Sequence, residues 1–298
     1  MKLVHFKSNN LSRLGVKTER GIVDVAQAAA VIPPRERVAA SVDEVIAGGS
    51  AAVQALERYL AALPADCDSP YLLDEAALDF APCVAHPGKI ICVGLNYRKH
   101  AEETNAPIPA YPILFNKFNN ALTGHGSEVV LPHVTQKVDY EAELAIVIGR
   151  TAKYVTKEEA LDYVFGYCCA NDLSARELQV RTPQWLLGKS LDGFAPLGPY
   201  LVTADEAGDP NALGIRCTVN GEVRQQSHTA DMIFYCDEIV SYISHYMMLE
   251  PGDVILTGTP EGVMLGYPEE RQVYLQAGDV VTVEIDKLGA LTNRMVAE

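Results

Sequence analysis

The sequence predicts an α+β protein rich in strand, and three observations carry that expectation. Its apolar runs are strand-length and end at turn residues, as in 89–95 (KIICVGL), 145–148 (AIVI) and 254–257 (VILT). Segments with helical spacing are few, and the clearest runs over 237–248. Strands and helices do not alternate regularly, which argues against a doubly wound sheet or a βα barrel.

Taken in order, residues 1–75 look different from the rest and read as a small N-terminal α/β domain. Short strand-like runs come first, with 21–25 (GIVDV) the clearest. Ser41 with Glu44 forms a capping box for a short helix ending at Gly48 and Gly49. A second helix, roughly 51–63, stops at Pro64. Residues 64–88 are rich in Pro, Asp and Ala and read as a linker or wrapping segment. Residues 76–298 form the larger domain, whose core opens with the strand 89–95. Thr156 with Glu159 is another capping box, predicting a helix to about Val164. In 237–248, Ile239, Val240, Ile243, Tyr246 and Met247 recur at helical spacing and should face the core. Residues 249–253 (LEPGD) turn into the strand 254–257, and 279–285 with 291–296 read as a hairpin around Lys287, Leu288 and Gly289.

The bulk composition narrows the function. The 298 residues are 48% apolar and 21% charged, as in ordinary globular proteins with a sizeable core. A net charge of −15 and a pI near 4.9 argue against nucleic acid as a partner. They also require a site for an anion to carry its own positive charge. No apolar run is long enough to span a membrane, and the polar start does not read as a signal peptide. Seven cysteines without a C-x-x-C spacing read as buried free thiols in a reducing cytoplasm. The seven histidines show no zinc-site spacing.

The chemistry concentrates in a few segments. Glu141 and Glu143 are separated by one residue and run into a buried strand, so both carboxylates point to one face. Like charges at the mouth of an apolar core repel and raise each other's pKa. A hard divalent cation removes that cost, and carboxylates suit Mg²⁺, Mn²⁺ or Ca²⁺. The competing reading is a strand end whose glutamates reach solvent. Asp172 follows a second apolar run at a strand-to-helix switch and offers a third carboxylate, or a helix N-cap. His100 and Glu103 share a face of a short helix ahead of three prolines, a candidate lid bearing a base with its orienting acid. Lys189 lies in a glycine-rich apolar stretch, either snorkelling to the surface or placed in a pocket. The turn 257–263 (TGTPEGV) could hold a carboxylate with its backbone N–H groups.

Together these segments resemble the fumarylacetoacetate hydrolase family. The matching runs are GLNYRKHAEE, VDYEAELAIVIGR, GYCCANDLSARELQ, GKSLDGFAPLGPYLVT, the Asn220-Gly221 segment with Gln225, Thr229 and 232–234 (MIF), and LTGTPEGV, in the family's order over about 88–298. The resemblance implies a rolled mixed β-sheet catalytic domain, usually dimeric, binding Mg²⁺ or Mn²⁺, with Ca²⁺ in some members. It implies substrates that are small 2-oxo or 2,4-dioxo acids. Carried over by residue, it places metal ligation on Glu141, Glu143 and Asp172 and the lid pair on His100 and Glu103. Lys189 becomes the cation beside the substrate oxygens, and Arg176, Gln179 and Thr259 become substrate contacts. The founding branch has a further metal aspartate before the lid histidine; here the nearest polar residue at the strand end is Asn96, so the chain resembles the three-carboxylate branch. The activity expected is hydrolytic C–C cleavage of a 2,4-dioxo acid of the acylpyruvate, fumarylpyruvate or diketo-deoxy sugar acid type. Oxaloacetate decarboxylation or 2-hydroxymuconate-type isomerisation and decarboxylation is the alternative. A non-catalytic, metal-stabilised small-acid binder is the reading from a different class.

Overall fold

The computed structural model describes residues 1–64 and 69–298. Positions 65–68 of the expected linker, including Cys67, lie outside the described residues. Among the described residues the chain is α+β, with short helices around mixed sheets. The main sheet runs in the order Leu72–Leu73, Gly21–Asp24, Leu11–Thr18, Lys2–Ser8, Ala195–Thr203, Val164–Asn171, Ala142–Ile148, Val254–Leu256, Ile90–Gly94, Ile113–Lys117. Residues 1–75 enter this sheet directly, because Lys2–Ser8 pairs antiparallel with Ala195–Thr203.

The sheet's central strands are buried on both faces, and their sequence shows why. In Ala142–Ile148 the alternate residues Leu144, Ile146 and Ile148 pack into one core. That core is closed by a second sheet in which Gly214–Val219, Val280–Ile285 and Gly289–Ala297 are neighbours. Ala145 and Val147 point the other way, into a core shared with Val45, Ile46 and Leu56 of the helix Val42–Ala61. A strand without a polar face is what two covering layers require.

The expected capping box at Ser41 is present: its hydroxyl accepts the Glu44 N–H at 3.1 Å. The two helices expected over 41–63 form one helix kinked at Gly49, with Pro64 beyond its end. The hairpin Val280–Ile285/Gly289–Ala297 turns through Lys287 as expected. The helix expected after Thr156 shrinks to a 3-10 turn, Ala160–Tyr163. There the Thr156 hydroxyl bonds the Glu159 side chain rather than a backbone N–H, and the chain enters a strand at Val164. Helix Cys236–Tyr246 buries Ile239, Val240 and Ile243, but Tyr246 is 67% exposed and leaves the core-facing set.

Candidate active site

Two neighbouring strand ends build the site. Ala142 pairs with Asn171, so the residues just outside that pair, Glu141 and Asp172, lie side by side. The Asp172 N–H donates to the Glu141 carbonyl at 2.9 Å, and the Asn171 side chain accepts the Glu141 N–H at 3.0 Å. Glu143 lies two residues along on the same face. Carboxylate oxygens of Glu141, Glu143 and Asp172 fall within 4.8 Å of one another, all three side chains buried.

Buried cations surround this cluster. Lys189 Nζ donates to Glu141 Oε2 at 2.8 Å and Asp172 Oδ2 at 2.6 Å. Lys117 Nζ pairs with Asp172 Oδ1 at 2.6 Å and donates to the carbonyls of Leu173 and Lys189. Arg176 donates to Glu141 Oε1 at 2.7 Å, to Gln179 Oε1 at 2.9 Å and to Asp139 Oδ2 at 2.9 Å. Its guanidinium thus meets three protein acceptor groups while the side chain also lines the cavity. Gln179 is buried in the cavity wall, joined to Arg176.

The electrostatics differ sharply between the two glutamates. Burial alone would push the Glu141 carboxyl up, but Lys189, then Arg176 and His100, outweigh it and hold Glu141 well below the usual carboxylate range. Glu143 is pushed well above that range by burial, then by Asp172 and Glu141. Its protein donor is the Gly258 N–H at 2.7 Å. Gly258 has φ of 101°, and a Cβ there would lie 2.7 Å from that of Asn96, so the donor's placement needs glycine. Burial opposes the Lys189 charge, but Asp172 and Glu141 overcome it and raise its pKa.

Among the described residues of this cluster, Asp139, Glu141, Glu143 and Asp172 face Lys117, Arg176 and Lys189, so one carboxylate charge is left over. The donor set of hard oxygens and the surplus charge at Glu143 both fit a divalent cation.

The remaining residues lie on the walls. His100 Nδ1 meets Glu103 Oε1 at 2.8 Å on the helix Arg98–Glu103, and His100 is buried. Thr259 donates to the Ala142 carbonyl at 2.9 Å and accepts from Gln225 at 2.8 Å. A cavity of about 180 Å³ is lined by His100, Glu141, Glu143, Gln179, Lys189 and Thr259. Its apolar side includes Trp185, which packs edge-on to Phe115 at 5.3 Å between ring centroids. The structure thus brings every residue singled out from the sequence to one place, Asp172 and Glu103 through partners in the wall.

Three residues of the site were given no role by the sequence reading. Lys117 is a lone charge ending an apolar strand, a pattern that signals a buried partner. Asp139 is the first of three acids at alternate positions, in plain view beside the other two. Gln225 lies in a matching run but braces the site from a distant strand, accepting the Ala142 N–H at 2.9 Å. Asn96 turns away from the carboxylates. It donates to Phe234 O at 3.0 Å and Thr257 O at 2.7 Å and accepts from Phe234 N at 2.8 Å. Asn96→Ala should lower unfolding stability by about 3 kcal/mol in urea titrations, because buried backbone groups lose their partners.

Comparisons with known proteins identify the family. The sequence profile described as "Fumarylacetoacetate (FAA) hydrolase C-terminal" matches residues 89–296. A curated relative, "Oxaloacetate tautomerase fahd2, mitochondrial" of Xenopus laevis, is 41% identical over 302 residues, spanning 99% of this chain and 90% of that protein. The solved fumarylacetoacetate hydrolase of psychrophilic Exiguobacterium antarcticum superposes with a TM-score of 0.81 at 37% identity, covering 100% of both chains. The maleylpyruvate hydrolase of Sphingobium sp. SYK-6, solved with manganese(II) and pyruvate, gives a TM-score of 0.79 at 30% identity, covering 100% of this chain and 99% of that one. The chain belongs to the fumarylacetoacetate hydrolase family.

Proposed function

We propose that the chain is an enzyme acting on oxaloacetate or a close 2-oxo diacid, interconverting its keto and enol forms by proton transfer at C3. The observation that carries this is the buried His100, held by the half-buried Glu103, facing the same small cavity as Glu141, Glu143 and Lys189. At about 180 Å³ the cavity suits a compact acid, well below the ~300–1,000 Å³ of drug-sized pockets.

Glu141, Glu143 and Asp172 would hold Mg²⁺ or Mn²⁺, with Ca²⁺ a further candidate. When bound, the ion supplies positive charge to the carboxylate and 2-oxo oxygens of the acid. Glu103 holds the proton on His100 Nδ1, which leaves Nε2 as the base. Nε2 takes the C3 proton, and the C–H electron pair moves into the C2–C3 bond as the 2-oxo oxygen gains charge. Lys189 donates toward that oxygen, Gln179 and Thr259 orient the acid, and Arg176 holds Glu141 and Gln179 in place. Return of a proton to oxygen completes the enol.

The relative named an oxaloacetate tautomerase matches over nearly the whole chain, and it favours this reading over the expected hydrolysis of a 2,4-dioxo acid. Decarboxylation of the same acid is the second reading, because breaking the C3–C4 bond to release CO₂ also moves an electron pair toward the 2-oxo oxygen, here giving the enolate of pyruvate. A non-catalytic binder has no use for a buried base. Among the described residues no helix is long and apolar enough to cross a membrane. Six of the cysteines are buried free thiols. They fit a reducing compartment, either the cytoplasm expected from the sequence or the mitochondrion in the relative's name. A homodimer remains part of the proposal.

With Mn²⁺ present, the protein should accelerate deuterium exchange at C3 of oxaloacetate and the decay of its enol absorbance. Cleavage of acetylpyruvate or maleylpyruvate at a kcat/KM above that for enol–keto exchange would return the assignment to hydrolysis. Stoichiometric CO₂ and pyruvate release at the exchange rate would favour the decarboxylase.

A further inference from the structure

We propose that Asp139 is a positioning residue: it fixes the turn 262–266 as a seat on which the helix carrying His100 and Glu103 closes. The inference rests on His100 being the base, and deepens that reading by assigning what sets the base in register with the carboxylates.

Asp139 alternates with Glu141 and Glu143 in sequence, yet it lies outside the cluster of three converging carboxylates. It is fully buried and both its oxygens are in use. Oδ1 accepts from Tyr140 N at 2.9 Å and Met264 N at 3.0 Å. Oδ2 accepts from Leu265 N at 3.0 Å and pairs with Arg176 NH2 at 2.8 Å. The adjacent Tyr140 hydroxyl donates to the Gly262 carbonyl at 3.0 Å. Two consecutive residues thus grip one turn at both ends.

The same turn receives Glu103. The Gly262 N–H donates to Glu103 Oε2 at 2.9 Å, leaving Oε1 for His100. Gly266 lies against that carboxylate: a Cβ there would be 2.5 Å from Glu103 Cδ and 2.7 Å from Oε2. Only glycine lets the carboxylate seat. One chain of contacts therefore runs from Glu141 through Arg176 and Asp139 to the turn, and on to Glu103 and His100. It gives the base and the carboxylate cluster a common frame.

The test compares wild type with Gly266→Ala, Asp139→Asn and Tyr140→Phe, using Mn²⁺ and oxalate as probes. Hydrogen exchange is read at the amides of Ala101, Thr104, Asn105 and Ala106, which close the helix and its C-terminal turn. In Gly266→Ala these amides should exchange at least about tenfold faster with both probes bound. The midpoint for Mn²⁺ should stay put, and kcat on oxaloacetate should fall with KM within about threefold. Asp139→Asn should repeat that pattern and Tyr140→Phe should show it more weakly. Should Asp139→Asn not fold, the other two variants still decide. A double-mutant cycle adds a sharper criterion. In a Glu103→Ala background the Gly266→Ala change should cost nothing more, because the group it displaces is gone. Wild-type protection in Gly266→Ala, or losses that multiply in the cycle, would overturn the proposal. Exchange needs no turnover, so it judges the seat even if oxaloacetate proves to be the wrong acid.

Discussion

Stripping divalent metal with EDTA abolishes turnover of oxaloacetate, Mg²⁺ or Mn²⁺ restores it, and Glu143→Gln is not rescued: this is the largest effect expected. The reason is the charge left over in the cluster. Glu143 has a backbone N–H as its donor, whereas Glu141 and Asp172 each meet buried cations. A divalent ion supplies the missing charge, and losing a ligand should weaken Mn²⁺ binding by roughly 10²-fold or more. The stability effect has the opposite sign. In the metal-free protein, burial and the neighbouring carboxylates oppose ionisation of Glu143, and Gln removes that cost, so Glu143→Gln should melt higher than wild type. At an ion concentration a hundred times Kd, wild type gains about 2.7 kcal/mol, and the variant gains little. Calorimetry with and without Mn²⁺ reads both signs. Equal melting shifts in the two proteins, or full activity after EDTA, would remove the ion from the site.

His100→Ala should lower kcat by roughly 10²–10⁴, the usual share of a general base. The Mn²⁺ midpoint should be unchanged, because His100 is not among the converging carboxylates. Glu103→Gln keeps a hydrogen-bond partner for Nδ1 and should lose less, about tenfold. The measurement is deuterium exchange at C3 under single-turnover conditions, which separates the chemical step from product release. Near-wild-type exchange by His100→Ala would place the base elsewhere.

What could be read from the sequence followed from local periodicity. Alternation put Glu141 and Glu143 on one face, and the i, i+3 spacing put His100 beside Glu103. Both hold because those geometries are set within a few residues. The strand-to-helix switch marked Asp172, but its meeting with Glu141 depends on the register Ala142 to Asn171, and register is a long-range property. Lys117 reaches Asp172 across 55 positions of chain, so no local pattern could have paired them. The Thr156 box failed for a related reason: its cap side chains were satisfied by each other, and the strand beginning at Val164 left no room for a full helix. Arg176 shows a further limit. A basic residue beside a site reads as a substrate contact, and Arg176 does line the cavity, but no local pattern showed that its nitrogens also meet Asp139, Glu141 and Gln179.

The chain carries a single tryptophan, and that indole, Trp185, forms part of the cavity wall against Gly94 and Phe115. All indole fluorescence of the native protein therefore originates at the place where an acid would sit. Filling the cavity changes the polarity around that ring and the reach of quenchers to it. The fold has in effect built an optical gauge of its own occupancy, one that needs neither dye nor substitution.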